Sequence, residues 1–387
     1  MKNKEIILTY IATILLLSLV FFGTLLVYDP LKLFHNKGKY KNYIQDNMRE
    51  QAAGIINNWD FDSIILGTSM LENTSAKETS KILEGNFVNI SISGGSWYER
   101  KFLLDYALRN KEVKKVLYSL DYLGATPKGG SGKYKISNWN YLYDDNPFND
   151  FSAYINDKYL KCLFSINSKK HCMGRKILNL DRPNSWYKSK SHLVRYGGLD
   201  NWFKAKDNSQ IKGAFNQILR STKAIKLGHV IIGDDYSNSQ KVKKSENYIN
   251  KNLLNSVKKN IKTEFIFILP PYSRIKYAIW AQYNKRRFEL YKTSLKYIVL
   301  KSRTYKNLKV YGWGTEAFVD NIANYKDLRH YEYKINSWML KAIKNKKGLL
   351  TEKNIDNYLN MITKKALNFN LIDIGDKIEN FLYTNGK

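Results

Sequence analysis

The chain has 387 residues, 43% of them hydrophobic and 14% aromatic, and carries 64 Lys and Arg against 34 Asp and Glu, a net charge of +30. This apolar share excludes an intrinsically disordered polyelectrolyte, and the length suffices for one large domain with an insertion or for two domains. The positive charge is spread among Asn, Ile and Tyr. That pattern fits drift of composition first, attraction to anionic lipid or acidic glycan second, and nucleic acid least.

The first element is apolar. Ile6 to Tyr28 has no formally charged residue. At about 1.5 Å per residue it reaches roughly 35 Å, enough for a bilayer core of about 30 Å. No A-x-A-like cleavage site follows in "VYDPLKLF", so residues 1–28 read as an uncleaved signal anchor. Lys2 and Lys4 place the amino end in the cytoplasm and the body outside it, although Lys32, Lys37, Lys39 and Lys41 weaken that asymmetry. Nucleic acid then has no place as a partner. Residues 29–58 form a juxtamembrane segment with a helix expected around Asn42 to Ile56.

A regular alternation follows in residues 59–127. "DSIIL" (Asp62 to Leu66) reads as a buried strand, and Gly67-Thr68-Ser69 as the hinge after it. A helix then opens on the capping-box pattern Ser75-x-x-Glu78 and stops at Gly85. "NFVNISI" (Asn86 to Ile92) is the next strand. It is followed by Gly94-Gly95 and a second capping box, Ser96-x-x-Glu99, whose helix runs to about Asn110. "VLYSL" (Val116 to Leu120) is the third strand. Short apolar strands separated by capped helices describe a parallel α/β sheet with right-handed crossovers. Ligands of such sheets bind beyond the carboxyl ends of the strands, where Ser69, Gly94, Gly95 and Asp121 all fall.

From 128 to 259 the alternation dissolves into a Tyr-, Asn-, Lys- and Ser-rich insertion, with helical patches at Ile211 to Lys223 and Tyr248 to Lys259. It holds both cysteines. Cys162 and Cys172 can form a disulfide, stay as two buried thiols or, with His171, contribute to a metal site. An oxidising compartment makes the disulfide the expectation. The sheet resumes in 260–345 with "EFIFILPP" (Glu264 to Pro271), a helix around Tyr283 to Leu300, and "LKVYGW" (Leu308 to Trp313). The tail, 346–387, reads as two amphipathic helices packed on the body.

"NYKDLRHYEYKINSWMLKAI" (Asn324 to Ile343) sets Asp327 three residues before His330, ahead of an apolar-periodic helix. From one turn, a carboxylate can hold one imidazole nitrogen while the other faces a hydroxyl, as a Ser-His-Asp triad requires. At a helix start the same pair could simply cap backbone groups.

The Gly-Thr-Ser hinge, the glycine loop after the second strand and Asp-x-x-His before the last core helix together resemble the SGNH (GDSL-like) hydrolase superfamily. More narrowly, they are similar to its membrane-anchored members concerned with surface polymers, the alginate and peptidoglycan O-acetylation and teichoic acid D-alanyl transfer proteins. The resemblance covers roughly Tyr28 to Pro127 and Phe265 to Ile343. It implies a three-layer, flavodoxin-like fold and a cofactor-free acyl transfer or ester hydrolysis on a cell-envelope glycan. Ser69 would be the nucleophile, His330 the base and Asp327 the orienting acid. Amides at Ser69 and at Gly94 or Gly95 would contribute to the oxyanion hole. The superfamily's asparagine after the third strand is replaced here by Asp121. Its carboxylate would repel an oxyanion, so Asp121 is expected to turn away and Asn73 to stand in. With one span and no route for cytoplasmic acyl-CoA, a transferase would need a multispan membrane partner to bring the acyl donor. The alternative is a catalytically silent glycan-binding or scaffolding module.

Overall fold

A computed structural model of the protein describes residues 2–37, 41–125, 134–165, 170–177, 179–232 and 240–385. Lys39, the opening of the expected insertion (128–133) and the His171 side chain lie outside the described residues. Among the described residues there are eight strands: β1 (Tyr43–Ile44), β2 (Ser63–Leu66), β3 (Phe87–Asn89), β4 (Lys115–Ser119), β5 (Arg175–Lys176), β6 (Glu264–Leu269), β7 (Leu308–Gly312) and β8 (Leu349–Leu350). Six of them form one sheet in the order β3-β2-β4-β6-β7-β8. All its pairings are parallel except the last, β7 with β8, so the protein is mixed α/β with a mostly parallel sheet. All five strands read from the sequence are present. β8 was not anticipated, because two residues after a helix leave no period to read.

β2 and β4 are direct neighbours, with Leu66 opposite Tyr118, while β3 lies on the other side of β2. The chain winds outward to β3 and then recrosses to β4. The carboxyl ends of β2 and β4 therefore diverge into connections of opposite sense, which leaves a crevice between them. β2 is buried throughout, as expected of an apolar run covered by helices.

The expected caps are formed with one difference. Ser96 and Glu99 make a complete capping box at the start of the helix Trp97–Asn110. Glu99 also accepts from Arg49 Nε at 2.8 Å in a buried pair, which joins this helix to the juxtamembrane helix Met48–Asn58. At the helix Ala76–Leu83, Ser75 caps the Glu78 amide, but the Glu78 carboxylate accepts from Ser337 Oγ at 2.6 Å on the helix Tyr333–Lys344. Tertiary contact has taken the second half of that box.

The apolar helix Lys2–Tyr28 is long and apolar enough to cross a membrane. Its exit is rigid. Asp29 is fully buried, and its carboxylate accepts from the amides of Leu33, Phe34 and His35 at 2.9–3.0 Å and from the Tyr154 hydroxyl. The turn lies on Gly54 of the juxtamembrane helix, where a Cβ would stand 2.0 Å from Leu31 O. That helix starts later than expected because Tyr43–Ile44 pairs antiparallel with β5.

The stretch 128–259 does not behave as one insertion. Its last part, Gln240–Ile249, a π turn at Asn250–Leu254 and Asn255–Lys259, lies between the helices Trp97–Asn110 and Lys285–Thr304. Ser256 Oγ donates to Asp105 at 2.7 Å, and the Ser245 and Ser294 hydroxyls are 2.9 Å apart. This part is the crossover between β4 and β6, and the inserted structure precedes it. Cys162 and Cys172 are joined, with Cα atoms 5.5 Å apart, so neither thiol is free and the metal alternative lapses. The two tail helices, Ile355–Leu367 and Leu371–Asn385, are present as expected. The second packs on Ser209–Lys226 of the inserted region, and Phe381 stacks on Phe203 at 4.1 Å.

Candidate functional site

The hinge after β2 is built by its neighbours. Gly67 N–H donates to Ser91 Oγ at 3.0 Å, and Gly67 O accepts from Ile92 N at 3.0 Å. A Cβ at Gly67 would lie 2.6 Å from Ser119 Oγ on the adjacent strand, so only glycine fits this closely packed position. Two residues later Ser69 emerges at the crevice. The other half comes from the far end of the chain. Tyr325 and Tyr331 form an antiparallel bridge, and Lys326 N–H bonds to His330 O at 3.0 Å, closing a tight turn before the helix Tyr333–Lys344.

That turn holds Asp327 and His330 in contact. His330 Nε2 is 2.8 Å from Ser69 Oγ, and His330 Nδ1 is 2.7 Å from Asp327 Oδ2. Asp327 also accepts from the amides of Arg329 and His330 at 2.9 and 3.0 Å. One carboxylate therefore caps the turn and orients the ring, so the two sequence readings of Asp-x-x-His hold together. Burial pushes its pKa up, but the adjacent imidazole, the hydrogen bonds to it and the Lys326 ammonium outweigh burial and hold it well below the usual carboxylate range.

Ser69 and His330 line a cavity of about 280 Å³ together with Gly94, Asp121, Glu72 and Trp186. Gly94 has φ +63°, and its N–H donates to no described group. The Ser69 N–H is likewise uncommitted among the described residues. Gly95 does not serve as expected, since its N–H is spent on Ile92 O at 3.0 Å and it does not line the cavity. Asn73 is also not at the cavity. Its Oδ1 accepts from Trp186 N at 3.0 Å and its carbonyl from Arg182 Nε at 2.8 Å, so it fastens the inserted region to the hinge. Asp121 does not turn away. It lines the cavity, accepts from the hydroxyls of Ser119 and Tyr272, and faces the buried Arg100 guanidinium at 3.8 Å. Arg100 balances the charge that sequence reasoning expected to be expelled.

The inserted region supplies a wall that sequence reasoning did not assign. Trp186 Nε1 donates to Ser69 O at 3.1 Å, and its ring meets His330 edge to face at 5.6 Å. Lys326 is 1% exposed. Its Nζ lies over Trp186 at 4.4 Å, 2.9 Å from Gln210 Oε1 and 3.7 Å from Asp327. Burial lowers its pKa to about 8. Burial and the Lys326 and Arg195 charges lower His192 to about 4, so it is neutral at pH 7. Glu72 is buried against the cavity, which raises its carboxyl to about 8 despite Arg49, Arg175 and Lys326, and the Ser93 amide bonds to it. Lys326 was legible as the neighbour of Asp327. Trp186 lies in an aperiodic stretch with no signal beyond its own size.

Chemically, the arrangement offers a hydroxyl poised to lose its proton to an imidazole, a fixed carboxylate behind that imidazole and two uncommitted amides at the same crevice. Compared with known protein families, curated proteins and solved structures, the chain matches none.

Proposed function

We propose that the protein is a membrane-anchored, extracytoplasmic acyl-ester enzyme of the SGNH hydrolase type, acting as an O-acyl transferase or esterase on a cell-envelope glycan. The observation that carries the reading is the chain of contacts from Ser69 Oγ through His330 to Asp327, formed across 261 residues of sequence. Strand order supports it, since β3-β2-β4-β6-β7 corresponds to the 2-1-3-4-5 winding of three-layer, flavodoxin-like sheets. The apolar helix would span the inner membrane with the body on the periplasmic side.

In this mechanism His330 Nε2 takes the Ser69 proton as Oγ attacks the ester carbonyl. Asp327 holds the Nδ1–H tautomer and stabilises the imidazolium. The Ser69 and Gly94 amides would receive the oxyanion, and Asp121, neutralised from behind by Arg100, would lie beside it without donating. The imidazolium then protonates the leaving alkoxide. In the second half, His330 takes the proton of a glycan hydroxyl or of water as that oxygen attacks the acyl-Ser69 carbonyl, the acyl–Oγ bond breaks and the imidazolium returns the proton to Ser69 Oγ, which gives transfer or hydrolysis. A multispan membrane partner would bring the acyl group to this face.

The test is direct. Ser69→Ala, His330→Ala and Asp327→Asn should each keep the fold and lower turnover of an activated acetyl ester, by about 10³-fold or more for the first two, with non-additive losses in combination. A fluorophosphonate should label wild type at Ser69 only. Full activity in Ser69→Ala would overturn the serine mechanism, and a wild type with neither turnover nor label would transfer the reading to the second one, a silent glycan-binding module. That reading is favoured by a specific observation: Asp121 and not an amide donor occupies the cavity beside Ser69.

A further inference from the structure

The segment between Asp144 and Asp157 shows an unusual distribution of apolar side chains. Phe148 is 83% exposed and Ile155 58% exposed, and they flank a 3-10 helix, Asn149–Tyr154, in which Asp150, Ala153 and Tyr154 are buried. Phe151 of that helix does not reach the sheet. It stacks on Phe34 at 4.6 Å and meets Phe22 edge to face at 5.0 Å. Tyr154 is fastened beside it to Asp29, and its hydroxyl also accepts from Leu31 N at 3.1 Å. The whole segment is thus held against the last turns of the apolar helix.

Lengths place those turns. The charge-free stretch Ile6–Tyr28 reaches roughly 35 Å at about 1.5 Å per residue, against a hydrocarbon core of about 30 Å. Counted from Ile6, about 20 residues fill that core, so Phe22 lies just inside its outer edge and Leu26 to Tyr28 lie in the headgroup layer. The 148–155 segment therefore lies alongside the part of the helix at the boundary of acyl chains and headgroups, a depth that Phe and aliphatic side chains of interfacial segments occupy. Charge agrees with a shallow position. Asp144 and Asp145 are exposed, and Asp145 pairs with Arg109 at 3.4 Å, which marks the waterward limit. Burial, with Asp144 and Asp29 nearby, raises the Asp150 carboxyl to about 7, so the turn itself carries a reduced charge.

We infer that Phe148 and Ile155 form a second membrane contact that seats the body on the lipid headgroup layer beside its own spanning helix. The inference rests on the proposed anchoring and not on catalysis. The occupant is the bilayer interface, because Phe151, between the two exposed residues, packs on Phe22 of the helix that is long and apolar enough to cross a membrane. The contact fixes the tilt of the body as well as its tether.

The experiment uses the full chain in phosphatidylcholine nanodiscs, with and without bromine on the acyl chains. Single variants Leu16→Cys, Phe148→Cys and Ile155→Cys carry a thiol-linked environment-sensitive fluorophore, and the native pair is protected as its disulfide. Bromine should quench the label at all three positions, and aqueous iodide should reach 148 and 155 at least severalfold less than it reaches free dye. Quenching at 16 without quenching at 148 and 155 overturns the inference while leaving the anchor intact. If those two sites are then shielded from iodide, a protein covers the patch. An unquenched Leu16 label removes the anchor, and the inference falls with it.

Discussion

At the scale of single residues the site is governed by how each charge is compensated. Asp121 shows this best: its partner Arg100 is wholly buried, with Nε and Nη2 lacking hydrogen-bond partners, so the carboxylate balances the cation as much as it occupies the site. Asp121→Asn, which restores the amide of the resembled superfamily, should therefore destabilise the fold by roughly 1–3 kcal/mol, read as a lower denaturant midpoint. Unchanged stability would show that Arg100 does not depend on it. Glu72 gives a pH signature. Its carboxyl is raised from 4.5 to about 8, so the folded protein keeps a proton that the unfolded chain releases earlier. Its contribution to stability is full below about pH 4.5 and is lost as pH rises through about 8. Glu72→Gln should flatten that loss, narrowing the fall in melting temperature between pH 5 and pH 9 by a few degrees. Parallel melting curves for the two proteins across that range would contradict the assignment.

At the scale of elements, the inserted region both lines the cavity and braces the fold. The Cys162–Cys172 bridge closes a loop of sequence separation 10 beside Gln45, whose Nε2 donates to Cys172 O at 2.7 Å, and β5 pairs with β1 just beyond. Replacing both cysteines with alanine should cost about 2–3 kcal/mol by the loop-closure argument, measurable by urea unfolding. No change there would mean that the neighbouring contacts already restrain the loop. Trp186→Phe keeps the ring against His330 but removes the donor to Ser69 O, and turnover should fall about tenfold with little effect on stability. The strands were legible because each is a short apolar run ended by a turn or polar residue, and the Ser69–His330–Asp327 contact because Ser69 follows the first of those strands while Asp327 and His330 stand three apart before a helix. The boundary at 259 was misplaced because the Gln240–Lys259 crossover is lysine-rich and polar on its outer face, so its composition matches the insertion although its inner face packs on the core. The roles of Asn73 and Gly95 were not legible. Both depend on which partner claims an amide group, and that follows from contacts with Trp186 and Ile92 rather than from local pattern.

At the scale of the whole molecule, the chain carries a net charge of +30 and its cavity includes the buried Lys326, while the apolar helix and the body form one continuous piece. A reporter fused after the last residue should be active only outside the cytoplasm, and the mature chain should retain the helix. A cytoplasmic signal would reopen the nucleic-acid reading of the charge. Because Asp29 gathers Leu33, Phe34, His35 and Tyr154 onto a single carboxylate directly after the helix, the joint has no swivel. Under the proposed anchoring, the cavity is then held at one altitude above the lipid, and a polymer strand is met only where it passes that altitude. Acceptors tethered to the bilayer on spacers of graded length should give a sharp optimum, and a flexible Gly-Ser linker placed between Tyr28 and Asp29 should flatten it. A response equally flat in both proteins would mean that the acceptor bends to reach the cavity. With a sharp optimum, the mount acts as a ruler, and the acid side chain that ties it sets the graduation.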